Sequence, residues 1–206
     1  MVSKIDVAWD LFLEGKTSEA KKLVEQDFSI DTCTDFSLLN LMGYLLLAEK
    51  DYASCTRIFE KYILLAQQNE DKEHEHIGLH QLAMIYRDQG DFHKALKLIE
   101  DEEKIVEEHF PNDNLKKAVN NYEQGYVRLK FNNLDEALTF MNLSLEQSLE
   151  TDDVISQACS YRGLGEIYLA LEDTELSNRH FKRAIELFES VGEFEAIKEI
   201  EELINR

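Results

Sequence analysis

Five times along the chain two small residues stand twelve positions apart: Ala8 and Ala20, Gly43 and Cys55, Ala83 and Ala95, Gly125 and Ala137, Gly165 and Ser177. Each pair encloses a polar or turn-forming break: Gly15-Lys16-Thr17, Lys50-Asp51-Tyr52, Gly90-Asp91-Phe92, Asn132-Asn133-Leu134 and Glu172-Asp173-Thr174. Small side chains facing each other across a tight turn let two helices approach closely, so each unit reads as a helical hairpin. Five hairpins in a row predict an all-α, stacked α-α superhelix, an architecture that usually binds other proteins rather than performing chemistry.

The first members of the pairs are separated by 35, 40, 42 and 40 residues, whereas the inner distance of twelve never varies. The extra length therefore belongs to the connections: Asn69-Glu70-Asp71-Lys72, Pro111-Asn112-Asp113-Asn114 and Thr151-Asp152-Asp153. Asp, Asn and Thr there suit helix starts, because their side chains accept bonds from otherwise unpaired backbone N–H groups. One solenoid domain is expected over 1–206, with repeats at about 2–34, 35–69, 73–110, 115–150 and 153–191 and a capping helix at 193–205. Apolar residues recur three and four apart in Leu79-x-x-Leu82-Ala83-x-x-Tyr86 and Tyr161-x-x-Leu164-Gly165-x-x-Tyr168, the mark of one buried helical stripe. The last element carries Phe194, Ile197, Ile200, Leu203 and Ile204 against Glu and Lys, which suits a lid over the terminal repeat.

Composition removes several classes of function. With 42 acidic against 22 basic residues and a net charge of -20, the field repels phosphate backbones and anionic lipid, so neither nucleic acid nor membrane is expected as a partner. A basic partner would be attracted. Cys33, Cys55 and Cys159 are odd in number and far apart, which argues against a disulfide framework and for a reducing compartment. No signal-peptide core opens the chain, and the longest nearly apolar stretch, Leu38 to Ala48, is too short to span a bilayer. A soluble, cytoplasmic protein is expected.

Leu79-x-x-Leu82-Ala83-x-x-Tyr86-x-x-x-Gly90-Asp91-Phe92-x-x-Ala95-Leu96 resembles a tetratricopeptide repeat. So does Tyr161-x-x-Leu164-Gly165-x-x-Tyr168 followed by Phe181-x-x-Ala184-Ile185. The resemblance covers nearly the whole chain, clearest in the third and fifth repeats. Its length of about 40 residues is similar to the variant in kinesin light chains, in peptide-sensing quorum regulators and in bacterial aspartyl-phosphate phosphatases. The fourth repeat departs from the pattern, with Gln124 and Arg128 on the expected core stripe. Buried polar groups are expensive unless paired. Either this helix is rotated so that Tyr126 and Leu129 take over the packing, or Gln124 and Arg128 make a buried polar contact with a neighbouring repeat.

In tetratricopeptide solenoids the first helix of each hairpin lines the concave face. The resemblance therefore implies a peptide- or protein-binding surface at Asn40, Tyr44, His80, Gln81, Met84, Arg87, Tyr122, Glu123, Tyr126, Arg162 and Glu166. Amides can bond a peptide backbone, Tyr offers apolar area with a polar tip, and Arg can clamp a carboxylate. Asn40 and Arg162 are expected as exposed polar groups beside Tyr44 and Tyr122. The Lys, Asn and Arg set that grips chaperone tails is missing, since Ile5, Trp9, Asn40, Tyr44 and Gln81 stand there instead. Trp9 and Phe12 are expected either to pack on the first hairpin or to form a homodimer contact.

His74-Glu75-His76-x-x-x-His80 is the one cluster with a metal flavour; no third ligand is fixed, so exposed histidines are expected. Glycine-rich phosphate loops, nucleophile elbows and a Cys paired with a motif His are absent. Acidic pairs such as Glu102/Glu103 read as solvated helix faces. The expectation is a non-enzymatic scaffold without cofactor, binding a protein or peptide. The alternative is a peptide-sensing protein that sequesters or modulates a partner.

Overall fold

Every break between the paired small residues becomes the same left-handed turn. Gly15, Lys50, Gly90, Asn132 and Glu172, each seven residues after the first small residue, have φ of 77, 59, 77, 58 and 62°. The next N–H reaches back to the last turn of the preceding helix: Lys16 to the Leu11 carbonyl, Asp51 to Leu46, Asp91 to Tyr86, Asn133 to Arg128 and Asp173 to Tyr168, at 2.8–3.0 Å. This pairing satisfies carbonyls that a helix end would otherwise leave bare. Asp51, Asp91 and Asp173 then accept from the amides of Ser54, Lys94 and Leu176, so one residue both closes a helix and starts the next.

The computed structural model describes residues 3–205. Met1, Val2 and Arg206, at the ends of the predicted repeats and domain, lie outside the described residues. The described residues are all-α. The hairpins are α1 Lys4–Leu13 with α2 Thr17–Val24, α3 Phe36–Ala48 with α4 Tyr52–Gln68, α5 Lys72–Asp88 with α6 Phe92–His109, α7 Asn114–Lys130 with α8 Leu134–Leu149, and α9 Val154–Ala170 with α10 Thr174–Val191. A last helix, α11 Phe194–Ile204, follows. Asp35, Asp71, Asp113 and Asp153 cap α3, α5, α7 and α9 by accepting from the amides of Leu38, His74, Lys116 and Ser156. No described helix is long and apolar enough to cross a membrane.

The chain divides into two compact units, one up to Leu98 and one from Ile99. In the first, Leu39, Leu41, Leu45, Ile58 and Phe59 form the core around Ala8, Ala20 and Cys55. In the second, one cluster gathers Ala137, Met141, Leu164 and Ile167, and another gathers Ala158, Phe181, Ala184, Phe188 and Ile200. Ile200, with Ile197 and Leu203, is the face α11 lays on this second cluster; Phe194 remains 68% exposed and Ile204 is also exposed.

The small residues work as expected and add a rule. A Cβ on Gly43 would stand 2.4 Å from the Phe59 ring, and one on Gly165 2.5 Å from the Phe181 ring. Both rings lie sixteen residues after their glycine and occupy the space its missing side chain leaves. Met141 stands sixteen after Gly125, whereas Ala8 and Ala83 are followed at that distance by the slimmer Val24 and Ile99. The second small residue can also bond its partner: Cys55 Sγ donates to the Gly43 carbonyl at 3.2 Å and Ser177 Oγ to that of Gly165 at 2.9 Å. Burial pushes the Cys55 thiol up to about 12, in keeping with a packing role.

Candidate functional site

In the first unit the expected residues Asn40 and Tyr44 stand on α3, and His80, Gln81, Met84 and Arg87 on α5, with Trp9 and Phe12 of α1 beside Tyr44. Trp9, Phe12 and Tyr44 come together with ring centroids 5.8–5.9 Å apart. Trp9 Nε1 donates to Ser37 Oγ at 3.0 Å, so these aromatics tie α1 to α3 of the second hairpin. Gln81 Nε2 donates to the Tyr44 hydroxyl at 2.9 Å. Burial raises the Tyr44 pKa, and the Gln81 bond only partly offsets it. Asn40 is half-buried rather than exposed: its Oδ1 is buried and has no hydrogen-bond partner. His80, Met84 and Arg87 are half-buried on α5.

The three histidines of α5 are not the exposed set the sequence suggests. His76 is buried and lies 3.6 Å from Glu73, while His74 stacks on Phe36 at 3.9 Å and pairs with Asp71 at 2.8 Å. Phe36 of α3 and Tyr62 of α4 supply the aromatic surface against which the His74 ring lies. Among the described residues no group of three or more His, Cys, Asp or Glu is arranged to hold a metal ion.

In the second unit the fourth repeat takes the buried polar alternative. Gln124 is 1% exposed and donates to Asn120 Oδ1 at 3.0 Å. Asn120 Nδ2 in turn donates to the Ile99 carbonyl at 3.0 Å and to Glu102 Oε2 at 3.2 Å. Glu102, read from sequence as part of a solvated acidic pair, is 2% exposed. A buried carboxylate persists because donors reach it. Arg128 curls over Phe140 at 4.1 Å, bonds Glu136 at 2.9 Å and returns to the Gln124 carbonyl at 3.2 Å.

Arg162 is pinned rather than free. Its Nε donates to Glu166 at 3.0 Å and its Nη1 to Glu199 of α11 at 2.7 Å, so it fastens the terminal helix to α9. Lys130 lies 3.9 Å from the same Glu166 and 4.5 Å above the Tyr126 ring. Tyr122 and Tyr126 stack at 6.3 Å, and burial holds the Tyr122 hydroxyl well above its ordinary pKa.

Beside Tyr122 lies an apolar groove of about 360 Å³ between the first halves of α7 and α9. Leu115, Val119 and Tyr122 form one wall, Ile155 and Cys159 the other, with Glu123 and Asp153 among its lining. Leu115 is 37% and Ile155 47% exposed. Burial pushes the Cys159 thiol up to about 11, so this thiol is uncharged at neutral pH. Sequence reasoning named Tyr122 and Glu123 but missed the other residues. A signal was present: 115, 119 and 122 repeat the four-then-three step of 155, 159 and 162, in the same register before Gly125 and Gly165.

The family description "Tetratricopeptide repeat" matches residues 117–190 and, separately, residues 78–101. No curated protein matches the chain. Among solved structures, BtubC (BKLC) from P. vanneervenii is 16% identical and superposes with a TM-score of 0.73 over 92% of this chain and 80% of its own. A putative kinesin light chain from Podosopora anserina with nearly identical TPR-like repeats, solved as a point variant, is 15% identical, with a TM-score of 0.70 over 92% and 95%. MamA of AMB-1 is 20% identical, with a TM-score of 0.61 over 92% and 99%. Likeness at these identities establishes the fold.

Proposed function

The chain is a tetratricopeptide-repeat protein, and from that premise we propose that it is a non-enzymatic scaffold holding a protein or peptide segment on its first-helix faces. The observation that carries this reading is the α7–α9 groove. Large apolar side chains on adjacent first helices stay open to solvent there although the surrounding core is filled, which marks a surface kept for a partner. Its volume of about 360 Å³ suits one or two bulky apolar side chains, as in recognition of an extended or helical segment. The net charge of -20 favours a segment with basic flanks.

Tyr122 and Glu123 border this groove, and Tyr126, Arg162 and Glu166 continue the same helix faces. In that arrangement Arg162 acts as a positioning residue, since its donors already serve Glu166 and Glu199. In the first unit, Tyr44 and Gln81 offer an aromatic with a bonded hydroxyl, and Asn40, His80, Met84 and Arg87 belong to the proposed surface. The Asn40 oxygen is buried, so Asn40 would meet a partner through the half of its surface that stays open.

The test is a native pull-down with mass spectrometry, repeated with Ile155→Glu and with Leu143→Glu on α8, which is exposed but outside the groove. Partner recovery should fall with Ile155→Glu and persist with Leu143→Glu, with circular dichroism unchanged in both. Equal recovery with both variants would remove the groove as the binding surface.

A further inference from the structure

A second cavity in the unit from Ile99 onward differs from the groove in chemistry and in the helices that build it. It measures about 570 Å³ and lies where α10 meets Leu145 of α8 and Tyr161 of α9. Its α10 wall includes Arg179, His180, Lys182 and Arg183. In a chain with 42 acidic and 22 basic residues, three cations within five positions around one cavity are an inversion of the general charge. Arg179, Lys182 and Arg183 follow a three-then-one step, which places all three on one face of the helix. Phe181 and Ala184, between and beside them, are turned into the core.

The charges are largely uncommitted. Arg183 donates to Glu186, which also lines the cavity, at 3.1 Å, and this orients its guanidinium. Among the described residues no carboxylate lies within ion-pair distance of Arg179 or Lys182. His180 supplies a second, independent observation. Its ring lies parallel to Tyr168 at 5.3 Å and 6.0 Å from Tyr161, and its Nδ1 is buried without a hydrogen-bond partner. A buried polar atom without a protein partner needs one from elsewhere, and a ligand in the adjoining cavity can supply it.

We propose that this cavity binds a phosphoryl group, held by Arg179, Lys182 and Arg183 with His180 and Tyr161 at its wall. Two guanidiniums present forked donors that match a phosphate, and three cations against one carboxylate suit a dianion better than a single carboxylate. The general negative charge does not forbid this. At physiological salt the field of distant carboxylates decays over about 8 Å, so the cations lining the cavity dominate inside it. A polyanionic nucleic acid would extend beyond that range and meet repulsion, which restricts the ligand to an isolated phosphoryl group, free or carried on a peptide.

The experiment follows the α10 amides and the His180 ring by NMR in the full chain. The probes are inorganic phosphate, a phosphoserine peptide with neutral flanks, and the same peptide with Glu in place of phosphoserine. Saturable shifts with phosphate and with the phosphopeptide support the site, and saturation by the phosphopeptide alone assigns it to a peptide-borne group. Arg179→Gln with Arg183→Gln, both at exposed positions, should weaken the response about tenfold or more. The proposal is overturned if neither phosphorylated probe saturates, if the Glu peptide binds equally well, or if the double variant responds like the parent chain.

Discussion

Adding one methyl group at Gly165 should destabilise the protein even though alanine is the better helix former. The propensity gain is about 1 kcal/mol. Against it, the new Cβ would stand 2.5 and 2.6 Å from two atoms of the Phe181 ring, which is 1% exposed and has no room to retreat. Overpacking of this kind costs about 1–3 kcal/mol, so Gly165→Ala should come out about 0–2 kcal/mol less stable. Phe181→Leu alone should lose about 1–2 kcal/mol through lost burial and a residual void. In the double variant the clash is gone, the alanine methyl fills part of the void, and the propensity gain is recovered. Its loss should therefore be smaller than the sum of the single losses by about 1–3 kcal/mol. The natural Ala8/Val24 combination shows the same exchange of size. Urea denaturation followed by far-UV circular dichroism measures the cycle, provided the slopes agree among variants. Because repeat arrays can open piecewise, hydrogen exchange of α9 amides gives the local value. Strict additivity of the two substitutions would refute the reasoning.

Lys50→Gly and Glu172→Gly should stabilise the turns slightly, by about 0–1 kcal/mol each, because relief of the left-handed φ exceeds the entropy glycine adds to the unfolded chain; thermal melting reads the sign. Asn120→Leu should destabilise by about 1–3 kcal/mol by stripping Glu102 and Gln124 of a buried partner, and adding Glu102→Gln should restore part of the loss. The Asp51, Asp71 and Asp91 carboxyls lie below their ordinary value of 3.8, held there by the Ser54 side chain and amide, the His74 amide, and the Lys94 side chain and amide respectively. A lowered folded-state pKa gives stability that is present above 3.8 and lost as pH falls through the folded values. Melting temperature should thus drop below about pH 4, and Asp71→Asn, which keeps an acceptor but cannot titrate, should flatten that slope; an unchanged slope would remove Asp71 from the account.

The helices, turns and caps were legible because their causes are local. A small residue, a left-handed turn seven residues on and, in three of the hairpins, an Asp that starts the next helix all act within one hairpin, so linear spacing carries them. The apolar groove was half legible: Leu115, Val119 and Tyr122, and Ile155 with Cys159, stand at helical spacing in the sequence, yet a stripe at helical spacing ordinarily reads as core. Only the packing of α7 against α9 shows that Leu115 and Ile155 stay open.

The polar residues depended on the tertiary structure. Gln124 and Glu102 are buried together because Asn120 reaches both, and a carboxylate's fate turns on donors that arrive from another helix. Arg162 has the composition of a ligand clamp but spends its donors on Glu166 and on Glu199, thirty-seven residues away. Spacing in the chain thus determines where helices begin, end and touch, since those forces act over one or two turns. Whether a charged or amide side chain is free for a partner is decided by packing, because burial and pairing are properties of neighbours the linear order does not place.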